Sequence, residues 1–315
     1  MAYPEPIEIA FKHVDGLDIM MDVYLPEKAT EKDPAPVLLW WHGGGLLQGT
    51  RKGLGPHMLR APANHDLCIV SADYRLAPQT RMPSILSDCV DAIKYIRSPA
   101  FAAATQNRVN PSKLALSGSS AGGWLSLLNG LGIGYEACGL GAEVPKAGSI
   151  AAIAPIYPIT DLLDPFWSTK KYPVSYMGRM IERSEVEPFI NSVDEKTSGA
   201  AVNSRRAIFY HYMVQEGILE PLLLDGTNIP PETFSVAAAI KSRKIAISPP
   251  PTYIVHGNAD LKVPHRQSTD VVAAYKAIGV EVEYEEPEGL DHGYDLAESV
   301  DMAGMYDFIV RALKA

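Results

Sequence analysis

Gly118-Ser119-Ser120-Ala121-Gly122 reads G-x-S-x-G, with Ser120 at its centre. A serine hydroxyl is a poor nucleophile until a neighbouring base takes its proton. A sharp strand-to-helix turn is the setting that lifts such a hydroxyl clear of a sheet, and glycines on either side let backbone pass closely. His42-Gly43-Gly44-Gly45 is a second signal. Consecutive glycines leave backbone N–H groups uncovered, and donors fixed in advance stabilise an oxyanion as its charge develops. Of the eight histidines, His292 in Asp291-His292-Gly293 is the expected base, on a loop near the C-terminus. Its orienting acid is expected after the preceding strand, which selects Asp260 and gives the order Ser…Asp…His. Asp291 and Glu288 remain weaker alternatives. His42 is expected to be a structural hydrogen-bonder. His256 is also expected to be structural, ending a strand far from an acid. No histidine pair has metal-ligand spacing such as H-E-x-x-H, so neither a metal nor a cofactor is expected.

These residues need a scaffold. Segments 7–14 and 17–25 read as a hairpin across Asp15-Gly16. Short continuous apolar runs at 37–41, 67–72, 114–117, 150–156 and 252–256 read as buried parallel strands. Helical periods cover 85–96, 121–131, 265–278 and 299–313, and 281–286 reads as an edge strand. The alternation predicts an α/β fold, a mostly parallel sheet flanked by helices. Between 161 and 248 no buried strand is expected. Helix-like stretches at 175–183, 204–219 and 231–241 fill that span. The expected division is a core of 1–160 and 249–315 with an inserted helical cap of 161–248.

The chain has 315 residues, 47% of them hydrophobic, and a net charge of −9. That is enough chain for a sizeable core, and disorder is excluded. The acidic balance argues against a nucleic-acid partner. The first residues lack the basic and apolar regions of a signal peptide, and no run reaches the length of a membrane span. Three cysteines, Cys68, Cys89 and Cys138, form no paired motif. They are read as buried thiols, and a cytoplasmic setting is the expectation.

His42-Gly-Gly-Gly45, Asp73-Tyr-Arg-Leu-Ala-Pro78 and Gly118-Ser-Ser-Ala-Gly-Gly123 together resemble the hormone-sensitive-lipase-like branch of the α/β-hydrolases. The resemblance covers about residues 5–160 and 249–315. It implies Ser120 as nucleophile, Asp260 as acid and His292 as base. It further implies an oxyanion hole from the N–H groups of Gly44, Gly45 and Ala121, with Asp73 and Arg75 as braces beneath. Two departures stand out. Ser119 occupies the position where that branch usually has Asp. The stretch His256-Gly-Asn-Ala-Asp-Leu-Lys-Val-Pro264 is instead similar to prolyl-oligopeptidase-type hydrolase domains. An N-terminal helical cap has no room here, which makes 161–248 the expected lid. Its aromatic and methionine residues, among them Tyr176, Phe209 and Tyr210, are expected both to pack the cap and to line an apolar pocket.

The resulting expectation is a serine hydrolase of carboxylic esters acting through an acyl-enzyme. A lactone or a specialised natural-product intermediate fits the same machinery. A retired scaffold serving as a small-molecule receptor, or a serine peptidase, is the alternative. The expected partner is a small-molecule ester or lactone, and a homodimer is compatible with the sequence.

Overall fold

The computed structural model describes residues 3–191, 193, 195–245 and 249–314. Its strands are β1 (Ile7–Val14), β2 (Leu17–Tyr24), β3 (Ala35–Trp41), β4 (Cys68–Ala72), β5 (Val109–Ser119), β6 (Ala152–Ile156), β7 (Tyr253–Val255) and β8 (Glu283–Glu285). They form one sheet in the order β1-β2-β4-β3-β5-β6-β7-β8. The hairpin turns where Asp15 and Gly16 both take positive φ, as a two-residue hairpin loop requires. β2 runs antiparallel to β4, and from β4 onward every pairing is parallel.

β3 explains why its sequence is a continuous apolar run. Val37, Leu39 and Trp41 belong to the core on one face, and Leu38 and Trp40 to the core on the other. A strand covered on both faces has no solvent side on which to place polar residues. Each such side chain contributes about 1.5–3 kcal/mol through burial. The helix Ala121–Leu131 is likewise buried along its whole length.

The strand order reverses at β3. β4 lies on one side of it and β5 on the other, and Trp41 is in register with Gly118. The loops after β3 and β5 therefore leave the sheet side by side at a topological switch point, where open α/β sheets bind ligands.

Several expected boundaries shift. No helix forms at 175–182. Glu182 and Glu185 make a reciprocal capping box, so the helix begins eight residues later as Arg183–Ile190. The stretch 204–219 forms Ala207–Glu216, which Gly217 ends in the left-handed conformation. The stretch 231–241 divides into the short turn Pro231–Phe234 and the helix Val236–Lys241, because the Val236 N–H donates to the Thr160 carbonyl. Among the described residues four helices were not expected: Pro56–His65, which contains Pro62, Pro99–Ala104, capped by Ser98, and the short Pro165–Ser168 and Leu219–Leu224. Between β6 and β7 the described residues hold helices and turns, plus one isolated bridge from Ala200 to Gly49. The expected cap boundary at Ser248 lies outside the described residues.

Candidate active site

Ser120 stands between β5 and the helix Ala121–Leu131 with φ 58° and ψ −118°. A non-glycine residue there is strained, and the flanking geometry over-determines it. A Cβ on Gly122 would fall 1.9 Å from the Trp41 carbonyl oxygen, and one on Gly118 would fall 2.2 Å from Gly122. Only glycine at both positions lets the turn close this tightly. The Ser120 N–H donates to the Ile156 carbonyl at 2.9 Å, tying the turn to β6.

The loop after β3 is fixed from inside. His42 is buried and stacks on Tyr74, with ring centroids 4.2 Å apart. Its Nδ1 donates to the Gly43 carbonyl at 2.8 Å, and the Tyr74 hydroxyl donates to the His42 carbonyl at 2.8 Å. Burial pulls the His42 pKa down to about 4, so the ring is neutral near pH 7. Further down, Asp73 accepts from the Arg51 backbone and guanidinium. Arg75 clasps Asp88 and Asp15, joining the hairpin to the helix Met82–Ile96.

Asp260 and His292 come together on the loops after β7 and β8. His292 Nδ1 lies 2.6 Å from Asp260 Oδ2. Asp260 Oδ1 accepts the backbone N–H groups of Lys262 and Val263, each at 2.8 Å. Burial alone would raise the Asp260 pKa. Hydrogen bonds from His256 and His292 outweigh it and hold the carboxyl well below the usual range. Asp291 takes another role: its Oδ1 accepts the N–H of Leu261 at 2.9 Å and of His292 at 2.7 Å, which clips the two loops together. Glu288 is exposed.

His256 departs from expectation, because it does have an acid partner. Its Nε2 sits 3.2 Å from Asp260 Oδ2, and its Nδ1 sits 2.7 Å from Ser268 Oγ. The two histidines share one carboxylate oxygen. β7 ends at Val255, so His256 begins the turn that carries Asp260 back beneath it.

A cavity of about 370 Å³ opens over these residues. Ser120, His292, Gly43 and Gly44 line it, whereas Gly45 does not. Gly45 packs instead against Tyr210, where a Cβ would fall 2.9 Å from the ring. Ala121 is buried as the first residue of its helix. No hydrogen bond joins Ser120 to His292 here, and such contacts commonly tighten only with substrate. Sequence reasoning missed several wall residues: Tyr157, Val202, His211 and Lys262. Tyr157 packs against the His292 ring at 4.2 Å between centroids, and its hydroxyl donates to buried Asp295. Lys262 carries a readable signal, since it lies two residues beyond Asp260. Of the expected pocket aromatics, Tyr210 reaches the wall, whereas Phe209 is wholly buried away from it.

The family model described as BD-FAE matches residues 21–197, more than half of the chain. That span includes the glycine loop, the Asp73–Pro78 stretch and the serine turn, and stops short of Asp260 and His292. Methylphloroacetophenone synthase of Cladonia uncialis is 28% identical over an alignment that takes in 97% of this chain and 13% of that protein. Non-reducing polyketide synthase pkbA of Emericella nidulans is 25% identical, over 96% of this chain and 14% of that protein. The chain thus spans only a small part of the length of the curated relatives it matches. Among solved structures, an alpha/beta hydrolase superfamily protein from Enterococcus faecalis superposes with a TM-score of 0.69 at 19% identity, covering 99% of each chain. Esterase 2 of Thermogutta terrifontis, phosphoramylated by tabun, gives 0.64 at 19% identity, covering 100% of this chain and 96% of that one. At such identities the likeness is one of fold.

Proposed function

The chain belongs to the BD-FAE family of esterase-like α/β-hydrolases, and from that premise we propose that it is a serine hydrolase of carboxylic esters. The observation that carries the reading is the pairing of His292 with Asp260 at 2.6 Å, facing a cavity shared with the strained Ser120. Ser120 attacks the ester carbonyl while His292 Nε2 accepts its proton. Asp260 holds the imidazole in the matching tautomer and stabilises the imidazolium. The tetrahedral oxygen takes hydrogen bonds from backbone N–H groups of the glycine loop and of Ala121. Gly44 stands in the cavity wall, which supports it as a donor; Gly45 and Ala121 complete the proposed set. His292 then gives its proton to the departing alkoxide, and water repeats the sequence on the acyl-enzyme. Closer kinship with the hormone-sensitive-lipase-like branch belongs to the same proposal. So does the division into a core and a cap of 161–248 that roofs the pocket.

Among the described residues the walls hold one lysine, Lys262, and no Asp, Glu or Arg. That composition favours neutral or anionic substrates over cationic ones. A second reading rests on the relatives. Nearly the whole chain aligns with a segment of polyketide synthases, which favours an acyl thioester from polyketide assembly as the acyl donor. The same serine would release that acyl group to water or to an alcohol.

A fluorophosphonate probe followed by peptide mapping tests the nucleophile, with a single adduct expected on Ser120. The same preparation is then given a panel of phenyl esters, a thioester, and matched 4-carboxybenzoate and 4-methylbenzoate esters. Hydrolysis with preference for the carboxylate over the methyl compound supports the reading. Labelling elsewhere, or no turnover of any oxygen or sulfur ester, sinks it.

A further inference from the structure

Arg206 is a buried cation with no acid beside it among the described residues. It lies outside the cavity, just before the helix Ala207–Glu216. Its Nε donates to the Leu47 carbonyl at 2.6 Å. One Nη donates to the Ala77 carbonyl at 2.6 Å and to Gln79 Oε1 at 2.7 Å. All three acceptors are neutral. Burial lowers the Arg206 pKa to about 10, which leaves the guanidinium charged at neutral pH. Burying a charge without a counter-charge is costly, so a role in stability alone is a weak reason for an arginine here.

The partners of Arg206 lead to the oxyanion loop. The Leu47 carbonyl and the Gln48 N–H belong to one planar peptide. That Gln48 N–H donates to the Gly44 carbonyl at 3.2 Å, and the Leu47 N–H donates to the same oxygen at 3.0 Å. The Gly44 carbonyl in turn shares a peptide with the Gly45 N–H. Charge on the guanidinium draws electrons toward the Leu47 oxygen and makes the Gln48 N–H a stronger donor. The Gly44–Gly45 peptide is polarised in the same sense, because hydrogen bonds in a chain reinforce one another. A parallel arrangement serves the preceding peptide, where His42 Nδ1 donates to the Gly43 carbonyl and so polarises the Gly44 N–H. Gly44 φ is 100°, and a Cβ there would fall 2.3 Å from the Gln48 carbonyl oxygen, so the turn has a single geometry to hold.

We propose that Arg206 is a positioning residue for the oxyanion loop, pinning the 44–48 turn and polarising the Gly44–Gly45 peptide toward the developing substrate oxyanion. The inference rests on the serine-hydrolase reading. It gives the segment between β6 and β7 a part in transition-state stabilisation that is separate from covering the pocket.

The test compares Arg206→Lys, Arg206→Gln and Arg206→Met with the parent enzyme. Phosphonate titration of Ser120 first fixes the active fraction of each, and thermal melts confirm folding. Removing a direct oxyanion donor costs about 10²–10³ in kcat, so an indirect one is expected to cost about tenfold. Arg206→Gln keeps a donor but loses the charge. It should lose about tenfold in kcat per titrated site, with KM within about twofold. A trifluoromethyl ketone, which forms a hemiketal oxyanion on Ser120, should weaken by the same factor, whereas the methyl ketone should not. Arg206→Lys should recover most of the loss. Should Arg206→Met fail to fold, the Gln and Lys variants decide alone. Parent-like kcat and trifluoromethyl ketone affinity in folded Arg206→Gln overturns the proposal and leaves the hydrolase reading intact. An unlabelled parent that turns over no ester overturns both.

Discussion

The glycine loop after β3 and the segment between β6 and β7 meet at the mouth of one cavity, but they are held in opposite ways. The loop continues a strand paired along its length to β4 and β5, and buried His42 and Tyr74 fix it from within. The segment has no strand among its described residues. It fastens to the loop at discrete points, through the Arg206 clasp and the two hydrogen bonds between Gly49 and Ala200 at 2.7 and 2.8 Å. One region has geometry imposed by the sheet, and the other has geometry imposed by a few polar staples. Geometry of the first kind suits chemistry that tolerates little displacement, and geometry of the second kind suits selection among substrates.

The sharpest way to break this comparison is at the nucleophile. Ser120→Ala should lower turnover by about 10⁴- to 10⁶-fold with an unchanged melting profile, since the members of such a site act as a unit. Retained activity would move the chemistry away from the sheet ends altogether.

Next in size is the acid. Asp260→Asn should cost about 10³- to 10⁴-fold in kcat by favouring the wrong imidazole tautomer. Asp291→Asn should cost far less, because Asp291 accepts only backbone N–H groups. A reversal of that ranking in steady-state kinetics would assign the acid to Asp291. The pH profile sharpens the point. The Asp260 pKa is depressed in the folded state, so its stabilising contribution is present above the ordinary carboxylate pKa and is lost only as pH falls through the lowered value. Loss of activity between pH 5 and 7 therefore cannot come from protonating Asp260. A profile of kcat/KM against pH, compared between the parent and Asp260→Asn, reads this.

Smaller effects separate packing from selection within the segment. Phe209 is fully buried, and Phe209→Ala should lower unfolding free energy by about 3–5 kcal/mol in denaturant titration. Val202 lines the cavity yet is 74% exposed. Val202→Trp should leave stability nearly unchanged and shift preference toward shorter acyl chains by a few-fold. If both substitutions act only on stability, the segment is packing and does not select.

Much of this arrangement was legible in the residues. Continuous apolar runs marked the inner strands because both faces are covered, and glycines marked the serine turn because no Cβ fits at 118 or 122. The pairing of Asp260 with His292 was legible through chain order and loop placement. His256 was misjudged because Asp260, only four residues on, folds back beneath it through a turn that the local pattern does not show. The helix expected at 175–183 forms instead at 183–190, behind a capping box of two glutamates. The wall residues His211 and Lys262 were missed for another reason. They face the cavity through tertiary packing that no local period encodes, His211 from the helix Ala207–Glu216 and Lys262 from the loop after β7, although Lys262 follows Asp260 by only two residues.

The outer strands carry one more consequence. β3 and β5 share seven registered pairs, whereas β7 has three residues, one registered pair to β6 and three to β8. Ser120 and the glycine loop thus stand on the strongly knit half of the sheet, and Asp260 and His292 hang from its thin margin. Opening free energies vary across a fold, and sparsely bonded edges open first. Inactivation by urea should accordingly run ahead of the loss of helical circular dichroism. A protein that has lost its activity in this way keeps its nucleophile turn intact, and on dilution it has only to re-dock one margin of the sheet.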